Sequence, residues 1–424
     1  MSRACSWRGP VWCVRGQNRG MTSSFGWLDN DDAQRRRMIE IVELFREQGT
    51  IDELGIGSIR DTLADAMFPG TSTLHTRLRY VLFLPWLMRR AAAKRTPDYM
   101  AAEFRELEFR LIGSLTQGGE VEGVMGNVAG RQLKRLPSVA YWSVLGRWGI
   151  VDAGSAQGFF RKQSDFRSLA RRTAAADDPE ARELLPSSGI DANLHSAPED
   201  LMAKVTFVLT PEDEEYLSTR IATSTHGSLL AWLVRNRPEN LGSGLGDTAA
   251  TAPWEIANLD ALDPANRALV DHARRFSLVM HGAALVYNVA LARKSGRDDA
   301  RDRHEAALVS WQREEAPAQA AREWDRAAFW ATIAERNPRL RSMTRTFVDE
   351  WLTVVEADDD LVTSPEAARL VSNRERQIKG GRARLHNQSA LDRWSGSSGL
   401  GRLAYRWDIT RSHLGDLYDA RDAA

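Results

Sequence analysis

Over residues 80–88 nearly every side chain is apolar, Phe83, Leu84, Trp86 and Leu87 among them, so this segment has no polar face to turn toward water. A helix apolar on all sides is stable in a globular fold only when other elements cover it completely, and the rest of the chain must therefore act as its shell. The run is far short of the roughly 20 residues needed to cross a bilayer, and Pro85 within it predicts a kink.

The surrounding stretch, residues 53–90, reads as two helices around a turn. Ser58 is placed to cap the first through the amide of Asp61, with Ile59, Leu63, Ala66 and Met67 following at helical spacing. Pro69 and Gly70 stop it. Thr71 or Thr73 then starts a second helix in which Leu74, Leu78, Val81 and Leu82 continue the period. His75, Arg77 and Arg79 fall in its first two turns, where free amides favour an anion. The competing reading, that these bases pair with the Asp61 and Asp65 side of the preceding helix, is preferred because no glycine-rich fingerprint accompanies them.

The chain has 424 residues, 43% of them apolar, enough for a large core and for about two or three domains. No segment reaches transmembrane length, and the first 20 residues, though basic, lack the apolar run of a signal peptide. The expected compartment is the cytoplasm, with no membrane partner. Cys5 and Cys13 both lie in this stretch, and Met21 follows it, so residues 1–20 read as a disordered leader or a start-site artefact. On that reading the working chain has no cysteine, which excludes a disulfide framework, a zinc finger and a cysteine nucleophile.

Formal charge is zero by cancellation between blocks rather than by even mixing. Residues 129–175 hold nine bases against Asp152 and Asp165, and residues 176–263 hold sixteen acids against five bases. Residues 369–411 hold ten bases against Glu375, Asp392 and Asp408. The expected organisation follows these blocks: a helical N-terminal domain over 21–175, an acidic middle region over 176–263 and a helical C-terminal domain with a basic tail over 264–424.

In chain order, residues 29–48 make an amphipathic helix with Met38, Ile41, Val42 and Phe45 on its inner stripe, and residues 97–115 make another. Gly118, Gly119, Gly123, Gly126 and Gly130 follow, but no Gly-Lys-Ser/Thr succeeds them and no strand precedes them, so they do not form a phosphate loop. Arg131, Lys134 and Arg135 then lead into a helix opened by Pro137 and Ser138 and carrying Tyr141, Trp142, Leu145 and Trp148. Gly149 ends that helix, Ile150 and Val151 can begin a short strand, and Arg161, Lys162, Arg167, Arg171 and Arg172 come next. This is the outline of a winged-helix-like unit whose bases meet phosphate, although a plain core helix with a Tyr-Trp pair has the same outline.

Within the acidic region, residues 204–209 are the best strand candidate. Thr210, Pro211 and the carboxylates of Glu212, Asp213 and Glu214 form a strong helix start. Together with Glu215 these acids suggest a metal site only superficially, since consecutive residues on a helix point in different directions. Residues 241–251 read as a flexible loop. Helices are expected at 264–293, 302–314, 316–336, 338–356 and 365–376. His272, His281 and His304 lack the spacing of metal ligands and read as core or surface histidines. Trp142, Trp148, Trp324, Trp330 and Trp351 fall on apolar helix faces and read as core anchors.

In the basic tail, Arg376, Lys379, Arg382 and Arg384 surround Gly380 and Gly381, with Trp394, Tyr405 and Trp407 interleaved further on. Cations neutralise phosphate and flat aromatics offer stacking surfaces, so one reading is nucleic-acid contact. The other is a tail wrapped on acidic surface of the same molecule, residues 176–263 being the obvious candidate.

FGWLD at 25–29, ELGIGSIRD at 53–61, MFPGTSTLHTRLRYVLFLPW at 67–86, GRQLKRLPSVAYW at 130–142 and LTPEDEEYLSTRI at 209–221 resemble an uncharacterised bacterial domain-of-unknown-function family of about 400 residues. The resemblance runs from Met21 to the C-terminus. It implies a gene neighbourhood beside helicase and methyltransferase genes of phage-defence islands, and it assigns no role to any residue.

The expectation is therefore a mainly α, multi-helical protein with few short strands. Its expected function is that of a non-enzymatic, nucleic-acid-associated component of a bacterial defence or restriction-like system, touching DNA or RNA through Arg131, Lys134, Arg135, Arg161, Lys162, Arg376, Lys379, Arg382 and Arg384. One alternative is a subunit that docks a helicase or methyltransferase through its acidic region. Another is a hydrolase or nuclease with dispersed carboxylates such as Glu103, Glu106 and Glu108. No catalytic residue, metal or cofactor is assigned.

Overall fold

The apolar segment is covered from every direction. A computed structural model describes residues 52–175 and 189–423, with residues 169–175 known by backbone alone. Expectations for the leader, the helix at 29–48, and the side chains of Arg171 and Arg172 lie outside these residues. In chain order the first helices are α1 (Gly57–Met67), α2 (Tyr80–Ala91), α3 (Pro97–Gln117), α4 (Pro137–Arg147), α5 (Ala156–Ala175), α6 (Pro211–Ser224) and α7 (Leu229–Asn236). After them come α8 (Pro264–Ser295), α9 (Asp298–Glu314), α10 (Pro317–Arg322), α11 (Arg326–Arg336), α12 (Ser342–Glu356), α13 (Pro365–Lys379), α14 (Gln388–Asp392) and α15 (Trp407–Asp422). Among the described residues the β structure is one antiparallel bridge, Val151 to Ile190. The protein is mainly α.

Every residue of α2 from Tyr80 to Met88 is buried, and the helix packs on α3 and α4. It begins later than its period predicts, because residues 71–79 form turns instead of its first two turns. The reason is tertiary. The Tyr141 hydroxyl accepts from the amides of Thr76 and Arg77 at 2.7 and 3.1 Å, and the Asp416 carboxylate accepts from Leu78 N at 3.1 Å. Amides held this way cannot close helical i to i−4 bonds. Ser58 likewise does not cap α1. Asp52 does, accepting from Ile56 N and Gly57 N at 2.7 Å each. The turn after α1 requires a glycine, because Gly70 has φ +91° and a Cβ there would lie 2.7 Å from the Trp148 indole nitrogen.

The extended residues 204–209 have no sheet partner. Val205 N donates to Ser114 O at the end of α3, Phe207 N donates to Glu120, and Thr206 O accepts from Arg79. Strand-like composition here serves packing on helix ends. Because residues 150–151 pair only through the single bridge, no β-wing is formed among the described residues, and α5 packs on α3 without the winged-helix hairpin.

The second half is organised on α8. By length and composition α8 can span a bilayer, contrary to the sequence expectation, yet 78% of its most apolar window is buried inside the protein. Its backbone approaches α9 closely, since a Cβ at Gly282 would sit 2.2 Å from the Trp311 ring. Trp311 and Trp351 anchor α9 and α12 by donating to Leu278 O and Val279 O. The helix expected over 316–336 is broken into α10 and α11 because Asp325 caps a new start, accepting from Ala328 N at 2.9 Å. At α6 the sequence expectation is met in full: Thr210 and Asp213 form a reciprocal capping box with Pro211 in the first turn.

Candidate nucleic-acid interface

Helix α3 presents Arg105, Glu106, Phe109 and Arg110 toward solvent, and residues 130–138 are pinned alongside it. Leu133 meets the Ile112 side at Gly126, where a Cβ would lie within 2.9 Å of both side chains. At the other end Ser138 N and Oγ bond the buried Glu108 carboxylate at 2.8 and 3.1 Å. Between these pins Lys134 and Arg135 are exposed and, among the described residues, make no ion pair or hydrogen bond through their side chains.

Arg131 forms a fork on Glu106, at 3.1 and 2.7 Å, which holds the Glu106 carboxyl below its usual range. The same guanidinium lies 5.4 Å from the Phe109 centroid, and Arg105 lies at the same distance from that ring. Stacking on an aromatic face holds a guanidinium in place while leaving its edge N–H groups free. Arg105 and Arg110 are exposed, and among the described residues no carboxylate is within ion-pair distance of either, although Arg105 acts at longer range on Glu106 and Glu108. Two guanidiniums thus stack on one half-exposed phenyl ring, and Arg110, Lys134 and Arg135 stand exposed on the same two segments.

The other predicted bases fall into two groups. Arg161 is exposed on α5 without a partner among the described residues, whereas Lys162 bonds the Asp152 carboxylate at 2.5 Å. In the tail, Arg376 and Arg382 are exposed, while Lys379 and Arg384 turn inward. Lys379 pairs with Glu53 and with Glu375, and Arg384 meets Glu53 at 2.8 Å. Tyr287 donates to Glu375 at 2.5 Å from inside the same junction. Burial opposes ionisation of Glu375, but the Tyr287 hydroxyl and the amides of Leu385 and Arg384 keep its carboxyl below the ordinary range. The tail's aromatics are anchors: Tyr405 and Trp407 are buried and donate to Ala273 O and Ala250 O.

The bases expected at a helix start are also neutralised internally. Arg79 is buried against Asp213 at 2.8 Å, and Arg77 meets Asp416 at 2.8 Å. Both acids are remote in sequence from Asp61 and Asp65. Glu103, Glu106 and Glu108 each engage a different partner, namely Lys94, Arg131 and Ser138. Among the described residues no group of three or more His, Cys, Asp or Glu side chains is placed to hold a metal ion.

A model of a family of unknown function, DUF6361, matches residues 22–421. The chain belongs to that family. No curated protein and no solved structure matches it. In this DUF6361 chain, Arg105, Phe109 and Arg110 were the part of the basic face that charge counting missed, because Glu103, Glu106 and Glu108 dilute the local charge of α3. The i, i+4 spacing of Arg105 and Phe109 was the available signal.

Proposed function

We propose that this protein is a non-enzymatic nucleic-acid-associated component of a bacterial defence or restriction-like system, and that it contacts the phosphate backbone through α3 and residues 131–135. The observation that supports this reading is the pair of guanidiniums stacked on Phe109, on segments where Arg105, Arg110, Lys134 and Arg135 have no carboxylate within ion-pair distance among the described residues. Cations left unneutralised on a folded surface displace counterions from phosphate, which gives sequence-independent affinity. The exposed carboxylates Glu199, Asp200, Glu212 and Glu215 lie in the acidic region and give a helicase or methyltransferase partner a surface of opposite sign to meet.

The reading is tested by charge reversal. R131E/K134E/R135E abolishes binding to labelled DNA or RNA, whereas R382E, on the tail, weakens it less. The variant Glu106→Gln removes the one acid of the cluster and frees Arg131, so affinity rises several-fold. Unchanged affinity in the triple variant would sink the assignment.

A further inference from the structure

Away from the basic face, a cavity of about 700 Å³ lies between the segment before α1, α1 itself, α8 and residues 398–409. Its volume falls in the range of small-molecule sites, which run from roughly 300 to 1,000 Å³. Its walls are mainly carbon, with Leu54, Leu74, Met280, Ala284 and Leu403 among them.

The charges that line it are matched by neighbouring protein groups. Arg60 pairs with Asp61, Arg406 with Asp65, and Arg402 with Glu315. Glu53 is held by Lys379 and Arg384, and Asp52 by the amides that open α1. Asp408 stands exposed in the first turn of α15, where the helix N-terminus balances it. The phenol of Tyr405 and the indole N–H of Trp407 are likewise committed to backbone carbonyls.

His281 is the exception. It lines the cavity from the middle of α8, and among the described residues its buried Nδ1 has no hydrogen-bond partner and no bond is made at Nε2. Burial and then Arg402 lower its pKa to about 4, so the imidazole is neutral at physiological pH and offers one donor and one acceptor.

We infer that this cavity binds a small, uncharged, mainly apolar molecule through one hydrogen bond to His281. A charged ligand would enter a carbon-lined site whose cations and anions already satisfy each other, and its desolvation would go uncompensated. A neutral head group meets the imidazole without that cost.

Three probes share one apolar body and differ only in the head: 2-naphthol, 2-naphthoate and 2-naphthylmethylammonium. Titration of the full chain by isothermal calorimetry at pH 7 should give 2-naphthol a Kd at least tenfold below those of both ions. His281→Phe keeps an aromatic ring but removes the hydrogen bond, and weakens 2-naphthol about tenfold. Ala284→Leu, a second variant at a partly exposed helix position, narrows the cavity and abolishes binding. Nucleic-acid affinity is unaffected in both variants, because the basic face lies on other elements. The inference is overturned if either ion binds as tightly as 2-naphthol, if 2-naphthol fails to bind at millimolar concentration, or if both variants bind it as the parent does.

Discussion

Single residues carry several of the constraints that join distant parts of the chain. Asp213 closes the capping box of α6, pairs with Arg79 and bonds His195 at 2.8 Å. Asp213→Ala leaves a buried guanidinium without its counterion, and urea unfolding should register a loss of about 3–5 kcal/mol. Glu108 is a different case. Burial pushes its carboxyl up to about 7 despite the Ser138 bonds, so between its unfolded value near 4.5 and about 7 the folded state binds more protons than the unfolded one. Its share of stability is present at low pH and is lost as pH rises through 7. Glu108→Gln should therefore stabilise the protein at pH 8 by on the order of 1–3 kcal/mol, and the gain should shrink below pH 5. Equal stability changes at both pH values would contradict this.

His75 and His413 act with the opposite sign. Their rings stack at 5.6 Å between centroids, all four ring nitrogens are buried, and burial, opposed at His75 by the Ala140 backbone, takes His75 to about 4 and His413 well below its ordinary value. Both stay neutral where the unfolded chain takes up protons, so their contribution is present above about pH 6.5 and is lost as pH falls toward 4. His75→Phe, which preserves stacking on Tyr141, should flatten the stability profile over that window as followed by urea midpoints. A slope like the parent's would assign the acid sensitivity elsewhere.

At the scale of elements, helix-forming stretches were legible wherever local chemistry decides them. The Thr210 cap, the long apolar period of α8 and the tryptophan anchors of α4, α11 and α12 are readable because each depends on neighbours within a turn or two or on a residue's bulk. Residues 71–79 and 204–209 were not, since tertiary acceptors take their amides, and nothing in the local sequence announces Tyr141 or Ser114 as the partner. The contact of residue 205 with α3 makes its own prediction. A Cβ at Gly118 would lie 1.9 Å from Val205 O, a backbone atom that cannot swing aside, so Gly118→Ala should cost about 1–3 kcal/mol in thermal or urea unfolding although alanine favours helix. A stabilised variant would mean that residues 204–209 are free to move.

Over the whole molecule, the charge blocks are neutralised in part by partners outside them. Arg79 and Arg421 reach Asp213 and Glu214 of the acidic region, and the tail bases Arg384, Arg402 and Arg406 meet Glu53, Glu315 and Asp65. The count of bases in sequence therefore overstated the surface charge, and partner choice across more than 300 residues, as between Arg384 and Glu53, has no local signature. Exposed bases with no carboxylate partner among the described residues stand on α3 and at residues 134–135, and also singly elsewhere, as at Arg161, Arg376 and Arg382.

The most direct test of the proposed face is the salt dependence of binding by the native chain, measured by anisotropy with fluorescently labelled double-stranded DNA and single-stranded RNA. Four unpaired cations, Arg105, Arg110, Lys134 and Arg135, predict a slope of log affinity against log salt of about −4 on duplex and about −3 on single strands. No binding at low salt, or an affinity indifferent to salt, would contradict the proposed role of this face.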